Sequence, residues 1–419
     1  MQRFTAAWVL PVDGAPIANG AVLVGDDGRI LEVGPADRVA APITAREIDL
    51  VPPQAAGLEG QAVLMPGLVN AHSHLELTGF AGLVEASDFS EWIRQVIAIK
   101  AARSEEGFFE AACEGIRAGW RAGVTTICDT GSTGAVVAAL DHLGASGISH
   151  HEVFGAHPEE CQPAIKRFAR DLERLAHHAT GRVGLGVSPH APYTVSGALY
   201  AASADLARAH GVPMAVHVAE PPAESALLAD FTGIFADDWR RRGIPRPSLG
   251  AVSPVAWLEQ HGVLSQRTLC IHAIHVDDHD ADLMARHGSA IAHCPRSNRF
   301  HHHADAPVQR YVERGLRLGL GTDSEISVAP PDLWAEARAA QQLTGWSDRD
   351  ALRALTLGGA EAIERDGECG SLAAGKWADM VAVSVGEDSD PEAAVLRASA
   401  ATVVGTWVGG REVHRVTER

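Results

Sequence analysis

The stretch LMPGLVNAHSHLEL, residues 64–77, decides the fold, because it ends a short apolar run on His72 and His74. Side chains of a strand alternate between faces, so two histidines two residues apart point to the same side. The run Val63–Val69 is typical of a first strand in a parallel sheet that is buried on both faces. Two imidazoles that point at one place form half of a metal site. The alternative is that both are ordinary loop residues, since His-x-His arises often by chance.

The middle of the chain alternates strand and helix patterns, as the βα units of a parallel sheet do. Eight such units favour a closed (β/α)₈ barrel over an open sheet. Residues 163–179 show the helical pattern between strands, with apolar residues at helical spacing. After the first strand, the strand candidates are Val124–Asp129, Ile148–Phe154, Val183–Pro189, Pro213–Val218, Thr268–His272, Ser289–Cys294 and Arg317–Gly321.

The two chain ends differ from this middle part. Residues 1–62 and 367–419 consist of short β-like runs separated by turn residues. We therefore predict an α/β protein in which both ends form one small β-sandwich domain and residues 63–366 form the metal-dependent barrel. Residues 87–102 and 221–254 depart from the βα rhythm and leave from the carboxyl end of the barrel, where they could cover its opening.

Composition excludes several partners and compartments. Lysine and arginine number 35 against 53 aspartates and glutamates, which gives a net charge of −18. A negative field repels nucleic acid and anionic membranes, so neither is an expected partner. The six cysteines contain no Cys-x-x-Cys pair, which suits a reducing compartment and argues against the zinc deaminases that carry Pro-Cys-x-x-Cys. The early apolar run AAWVL is too short for a signal segment, so we expect a cytoplasmic protein.

Metal-ligating residue types recur at the carboxyl ends of the predicted strands, which form a ring around one opening of a barrel. The chain has 21 histidines, and His301 to His303 are interpreted as loop residues, so each histidine alone also fits a structural role. Their joint placement favours a site for zinc or iron. We assign His72, His74, His217 and Asp323 as ligands. The full set at strand ends is His72, His74, His190, His217, Glu220, His272, His293 and Asp323.

The chain resembles the amidohydrolase superfamily in five motifs. In chain order they are PGLVNAHSHLEL, HVAE, IHAIH, AHCPRSN and GLGTDS. The branch most similar contains S-adenosylhomocysteine, adenosine-type and guanine deaminases. The resemblance covers nearly the whole chain, including the segment GSLAAGKWADMVAV near its end. It implies a distorted (β/α)₈ barrel with one catalytic divalent metal ion.

Some members of the superfamily hold two metal ions through a lysine at the end of strand four. Lys100, Lys166 and Lys376 lie at no predicted strand end, so we predict a mononuclear site.

The resemblance also implies catalytic roles. Glu220, three residues after His217, would carry a proton to a ring nitrogen and then to the leaving amine; the alternative is an acid at a helix N-terminus. His272 would stabilise developing charge on the adduct, and Asp323 would both ligate the metal and accept a proton from water. The implied reaction is attack on an amidine-like carbon with release of ammonia.

Three residues are candidates for substrate binding. His190, in SPHAPYTVS, resembles a family histidine that contacts the purine, although it also fits a loop role. Trp92 either stacks on the base or packs in the core. Glu76 resembles the HLE pattern of 6-amino-6-deoxyfutalosine deaminases of menaquinone synthesis, or it is a salt-bridging acid. S-adenosylhomocysteine deaminases have a ribose-binding glutamate after the tryptophan helix. Here the stretch counted from Trp92 reads IAIKAARSEE, with alanine near the expected place and with Glu105 and Glu106 only later in the chain.

The sequence therefore predicts a metal-dependent aminohydrolase of a 6-aminopurine nucleoside, with 6-amino-6-deoxyfutalosine favoured. One alternative is a related hydrolase or chlorohydrolase of guanine, cytosine or chlorotriazine-like rings. Another is a barrel without catalysis that serves as a scaffold, which the complete ligand set disfavours. Barrels of this superfamily often pair, so a homodimer is an expectation.

Overall fold

The computed structural model describes residues 1–85, 89–247, 253–386 and 390–417. The chain divides into two compact units. The first comprises Met1–Ala71, Gly115–Ile127 and Asp332–Arg419, and the second comprises His72–Glu114 and Cys128–Pro331.

Strands and helices are numbered in chain order within the described ranges. The strands are β1 (Gln2–Val9), β2 (Ile17–Val24), β3 (Ile30–Pro35), β4 (Arg46–Asp49), β5 (Gln61–Pro66), β6 (Leu68–Ser73), β7 (Val124–Gly131), β8 (Ser146–Val153), β9 (Val183–Pro189), β10 (Met214–Val218), β11 (Thr268–His272), β12 (Ala290–His293), β13 (Arg317–Leu320), β14 (Met380–Val385), β15 (Val403–Val408) and β16 (Arg411–Arg415). The helices are α1 (Phe89–Ala101), α2 (Glu105–Arg121), α3 (Ala135–Leu143), α4 (Cys161–Leu175), α5 (Gly197–His210), α6 (Pro222–Ala229), α7 (Gly233–Arg241), α8 (Pro254–Gln260), α9 (Asp278–His287), α10 (Pro295–Phe300), α11 (Val308–Glu313), α12 (Leu333–Thr344), α13 (Asp348–Leu355), α14 (Leu357–Ala362) and α15 (Pro391–Leu396).

Both chain ends contribute to one sheet, as the sequence predicts. Its strands follow the order β16-β15-β14-β5-β1-β2-β3, and β4 pairs with β1. Phe4 and Trp407, one from each end of the chain, meet edge to face at 5.2 Å in its buried core. Aromatic pairs of this geometry stabilise a core beyond the area that they bury.

The prediction that Val63–Val69 forms the first barrel strand is wrong. Residues 61–66 form β5, which pairs antiparallel with β14 and parallel with β1, and the barrel strand β6 begins at Leu68. The chain changes sheets at Gly67, where a Cβ would lie 2.2 Å from the Thr125 side chain. Since residues 62–73 are all buried, the apolar run continues across the boundary and hides it.

The barrel is confirmed. Strands β6 to β13 are neighbours in chain order in an eight-stranded sheet, and Ser73 and Asp323 form a parallel bridge between its two ends. Each predicted strand after the first overlaps an observed one, and β9 and β11 have the predicted bounds. The helix predicted at residues 163–179 is α4, which ends at Leu175. No helix among the described residues has the length and apolarity needed to cross a bilayer.

Helix α1 lies over the carboxyl end of the barrel. Its Trp92, Val96 and Ile99 pack against an apolar cluster of Leu77, Phe80 and Ile326. The second irregular segment forms α6 and α7, whose apolar side chains pack in one cluster with Tyr193. Its residues 248–252 lie outside the described part of the chain. Helix α1 therefore presents apolar side chains at the carboxyl end of the barrel, where a ligand would contact them.

Candidate active site

The four predicted metal ligands lie together at the carboxyl ends of β6, β10 and β13. Asp323 Oδ1 lies 3.5 Å from Nε2 of His72 and 3.5 Å from Nε2 of His74. His217 Nε2 lies 3.3 Å from His74 Nε2. His72, His217 and Asp323 are buried, and the His74 side chain is 14% exposed. The prediction that these side chains converge thus agrees with the structure.

The charge states of these groups suit a divalent cation. Burial lowers the pKa of His72 to about 3, so its imidazole is neutral and offers a lone pair. Burial also lowers the pKa values of His74 and His217. Burial alone would raise the pKa of Asp323, but its interactions with the adjacent imidazoles of His72, His74 and His272 hold it well below the usual value. Three neutral nitrogens and one carboxylate oxygen form a donor set that fits zinc or iron.

Hydrogen bonds and the backbone conformation hold these side chains in place. Asp323 N donates to the carbonyl oxygen of His72 over 3.1 Å, and Ser297 Oγ donates to Asp323 Oδ2 over 2.5 Å. Asp323 and His272 both have positive φ, 56° and 66°, a region that residues other than glycine rarely occupy. Strain of this kind concentrates at functional sites, where the surrounding contacts maintain it.

Gly321 tests how tightly the ligand cluster is packed. A Cβ at this position would lie 2.8 Å from His72 Cβ and 2.9 Å from Cys294 Sγ. We expect Gly321→Ala to displace His72, weaken zinc binding and lower the free energy of unfolding by about 1–3 kcal/mol. Zinc titration calorimetry and urea denaturation would measure both effects. Gly367→Ala is the control, because a Cβ there meets nothing within 4 Å. Wild-type zinc affinity in Gly321→Ala would contradict the expected displacement.

Glu220 lies beside this cluster, just beyond β10. Its Oε1 is 3.7 Å from His272 Nε2 and 3.8 Å from His303 Nε2. Burial raises the pKa of Glu220 to about 7, and the interaction with His272 opposes that rise. A carboxyl with a pKa near 7 can accept and release a proton at neutral pH. His272 Nδ1 donates to Asn298 Oδ1 over 3.1 Å, which fixes the ring with Nε2 toward Glu220.

One cavity of about 190 Å³ joins the reactive groups to the predicted substrate-binding residues. His190 and Trp92 both line it, as do Glu220 and His272. Most of the remaining wall is apolar, with residues of α1 on one side. Ligand sites commonly combine such apolar walls with a few polar groups that set orientation.

Glu76, the third candidate for substrate binding, does not lie at this cavity. Its side chain is 1% exposed and does not line the cavity. Its carboxylate accepts hydrogen bonds from Lys100 Nζ at 2.5 Å, from Thr133 Oγ1 at 2.7 Å and from the backbone nitrogens of Ser132 and Thr133. The salt-bridging alternative is therefore the arrangement that the structure shows.

Lys100 holds α1 to the barrel through this ion pair. Lys100→Met would leave the Glu76 carboxylate buried without a cation, so we expect the free energy of unfolding to fall by about 3 kcal/mol. The double variant Glu76→Gln/Lys100→Met removes the stranded charge and should recover most of the loss. Urea denaturation measures each variant, with Lys166→Met, an exposed lysine on α4, as control. If the single and the double variant lost the same free energy of unfolding, the unpaired charge of Glu76 would not be the cause of the loss.

Sequence reasoning missed three residues of the site. His301 lines the cavity and meets the Trp92 ring edge to face at 4.7 Å, and His303 faces Glu220. The sequence signal that could have identified His301 and His303 was their position shortly after the motif AHCPRSN. Glu152, at the end of β8, also lines the cavity and is 7% exposed. It follows two histidines within a buried strand, and nothing local distinguishes it.

Comparison with known proteins agrees with this geometry. The model of the amidohydrolase family matches residues 63–413. A 5-methylthioadenosine/S-adenosylhomocysteine deaminase of Syntrophobacter fumaroxidans is 32% identical, over 89% of this chain and 82% of the relative. An aminodeoxyfutalosine deaminase of Deinococcus radiodurans is 29% identical, over 84% of this chain and 82% of the relative.

The fold is similar to that of a zinc-bound adenosine deaminase from Xanthomonas campestris. The TM-score is 0.82 at 23% identity, with 98% of this chain and 92% of that chain covered. The sequence relatives support an activity of the adenosine-type nucleoside deaminases. This chain belongs to the amidohydrolase family and is a hydrolase that acts on carbon–nitrogen bonds.

Proposed function

We propose that this protein deaminates a 6-aminopurine nucleoside, preferably 6-amino-6-deoxyfutalosine, with one divalent metal ion, zinc. The observation that carries the proposal is the position of Glu220, a buried carboxyl 3.7 Å from His272 and beside the ligand cluster, on the wall of one cavity. The similarity to a zinc-bound fold supports the choice of metal.

The residues of this chain then have separate tasks. His72, His74, His217 and Asp323 hold the metal ion, which activates water as a nucleophile near neutral pH when it is bound. Glu220 moves a proton to the ring nitrogen next to the reacting carbon and then to the departing amine, so that ammonia leaves and a carbonyl remains. His272 stabilises the charge that develops on the incoming oxygen. His190 and Trp92 hold the purine.

A neighbouring cavity supports the preference among nucleosides. It has a volume of about 600 Å³ and shares Ile97, Lys100 and Phe154 with the reactive cavity. Arg167 and Arg242 also line it, together with Glu160. Lys100 pairs with Glu76 and Arg242 pairs with Asp238, so Arg167 is the cation that a ligand can use. A futalosine-type nucleoside carries a benzoate on its 5′ side, and an apolar wall with one arginine suits that group.

The test is a comparison of kcat/KM for 6-amino-6-deoxyfutalosine, S-adenosylhomocysteine, 5-methylthioadenosine and 5′-deoxyadenosine. Loss of the aminopurine absorbance band follows each reaction with the zinc-loaded protein. We expect conversion of all 6-aminopurine nucleosides that fit, with the futalosine nucleoside preferred. A preference for the uncharged 5-methylthioadenosine would contradict the substrate assignment. Release of ammonia or chloride only from guanine, cytosine or triazine rings would contradict the proposed reaction.

A further inference from the structure

Glu152 is a buried carboxyl on the cavity wall, and one of its two oxygens accepts no hydrogen bond from the described residues. It lies at the end of β8, and no hydrogen-bond partner of its Oε1 occurs among the described residues. Burial raises its pKa to about 7, while the charge of Lys100 opposes that rise. A buried polar atom without a partner is costly, and native proteins rarely keep one without a reason.

The contrast with Glu76 identifies which carboxylate is available to a ligand. Both glutamates lie near Lys100, but the Lys100 ammonium bonds to Glu76 and to Ser132 Oγ. Glu76 accepts from donors of four protein groups and is sealed from the cavity. Glu152 lines the cavity and has acceptor positions to spare.

The position of Glu152 relates it to the substrate. One carboxylate oxygen of Glu152 and one ring nitrogen each of His190 and His217 lie within 4.8 Å of one another. His217 is a predicted metal ligand, and His190 is the residue assigned to the purine. Glu152 therefore lies beside the part of the cavity that is assigned to the purine.

The chemistry of a 6-aminopurine nucleoside limits what can bond to a carboxylate there. Its ring nitrogens accept hydrogen bonds, and its exocyclic amine is at the reacting carbon. The donors that remain on the nucleoside core are the ribose hydroxyls. Carboxylates are common partners of ribose hydroxyls in nucleotide-binding proteins.

We propose that Glu152 binds the 2′- and 3′-hydroxyls of the substrate ribose and makes the site selective for ribonucleosides. This inference rests on the proposed function, since it requires a 6-aminopurine nucleoside as substrate. It also explains how ribose is bound although the stretch after Trp92 lacks a suitably placed glutamate and Glu76 is occupied.

The experiment compares adenosine with 2′-deoxyadenosine and 3′-deoxyadenosine in the zinc-loaded wild type and in Glu152→Gln and Glu152→Ala. We expect the wild type to prefer adenosine by about 30-fold or more, the contribution of hydrogen bonds to a charged group. Both variants should lose that preference, because kcat/KM falls for adenosine and changes little for the deoxynucleosides. Glu173→Gln, an exposed glutamate on α4 that lines neither cavity, is the matched control and should keep the preference.

Two results would overturn the inference. One is a wild type that converts all three nucleosides equally well. The other is an equal loss for all three in both variants, which would mean that Glu152 acts through His217 or through the fold. Thermal denaturation identifies a folding defect. Since no donor among the described residues bonds to Oε1, Glu152→Gln should keep the wild-type melting temperature. A wild type that deaminates none of the three, yet acts on other rings, would instead refute the proposed function.

Discussion

Glu220→Gln is expected to lower kcat about 1,000-fold while zinc content and melting temperature stay at wild-type values. The amide occupies the same volume beside His272 but cannot accept the proton that must move to the ring nitrogen and the leaving amine. Rapid-quench or absorbance kinetics with a 6-aminopurine nucleoside measure the loss, and metal analysis confirms that the ligand cluster is intact.

The matched control for this change is Glu173→Gln, an exposed glutamate on α4 far along the chain from the site. It should leave kcat unchanged. If Glu220→Gln retained wild-type kcat, the proton would have to move through another group, and His303, which also faces Glu220, would be the next to test.

His217→Ala is expected to abolish measurable activity and to weaken zinc binding by more than about 100-fold, because it removes one of four converging donors. His217 Nε2 lies 3.3 Å from His74 Nε2, so the two nitrogens are already close enough to share one ion. Titration calorimetry with zinc reads the affinity independently of catalysis.

His210→Ala serves as the control, since His210 is an exposed histidine at the end of α5. Its zinc affinity and activity should match those of the wild type. Wild-type zinc affinity in His217→Ala would exclude His217 as a ligand and would point to a site built from His72, His74 and Asp323 alone.

The barrel and the convergence of histidines at its rim could be predicted from sequence because parallel strands buried on both faces appear as apolar runs. Most of these runs have a histidine or an aspartate at or just beyond their carboxyl end, and strand ends share one rim of a barrel. The same continuity concealed the boundary between β5 and β6. At that boundary Gly67 lies close to Thr125, and this contact between distant parts of the chain leaves no signal in the local sequence.

Glu76 shows where the periodicity argument fails. Glu76 follows His74 by two residues, so an extended segment would place it on the same side as the two histidines, but Leu75–Leu77 forms a turn of 3₁₀ helix. The side chain therefore turns toward Lys100 and away from the cavity. The alternation of side chains that places His72 and His74 on the same side therefore does not continue to Glu76.

Glu152 and His301 show a second limit, since their roles depend on neighbours that are remote in sequence. Glu152 is a cavity residue because α1 and β9 pack nearby, and His301 reaches the site because Trp92 of α1 meets its ring. A single sequence contains no periodic signal for such contacts.

Titration of metal-free protein with zinc, while nucleoside deamination is followed by absorbance, tests the central claim of a mononuclear aminohydrolase most directly. We predict no activity without metal, a linear rise in rate, and saturation at one zinc ion per chain. Saturation only at two ions per chain, or deamination at full rate by the metal-free protein, would contradict the assignment of one metal to His72, His74, His217 and Asp323.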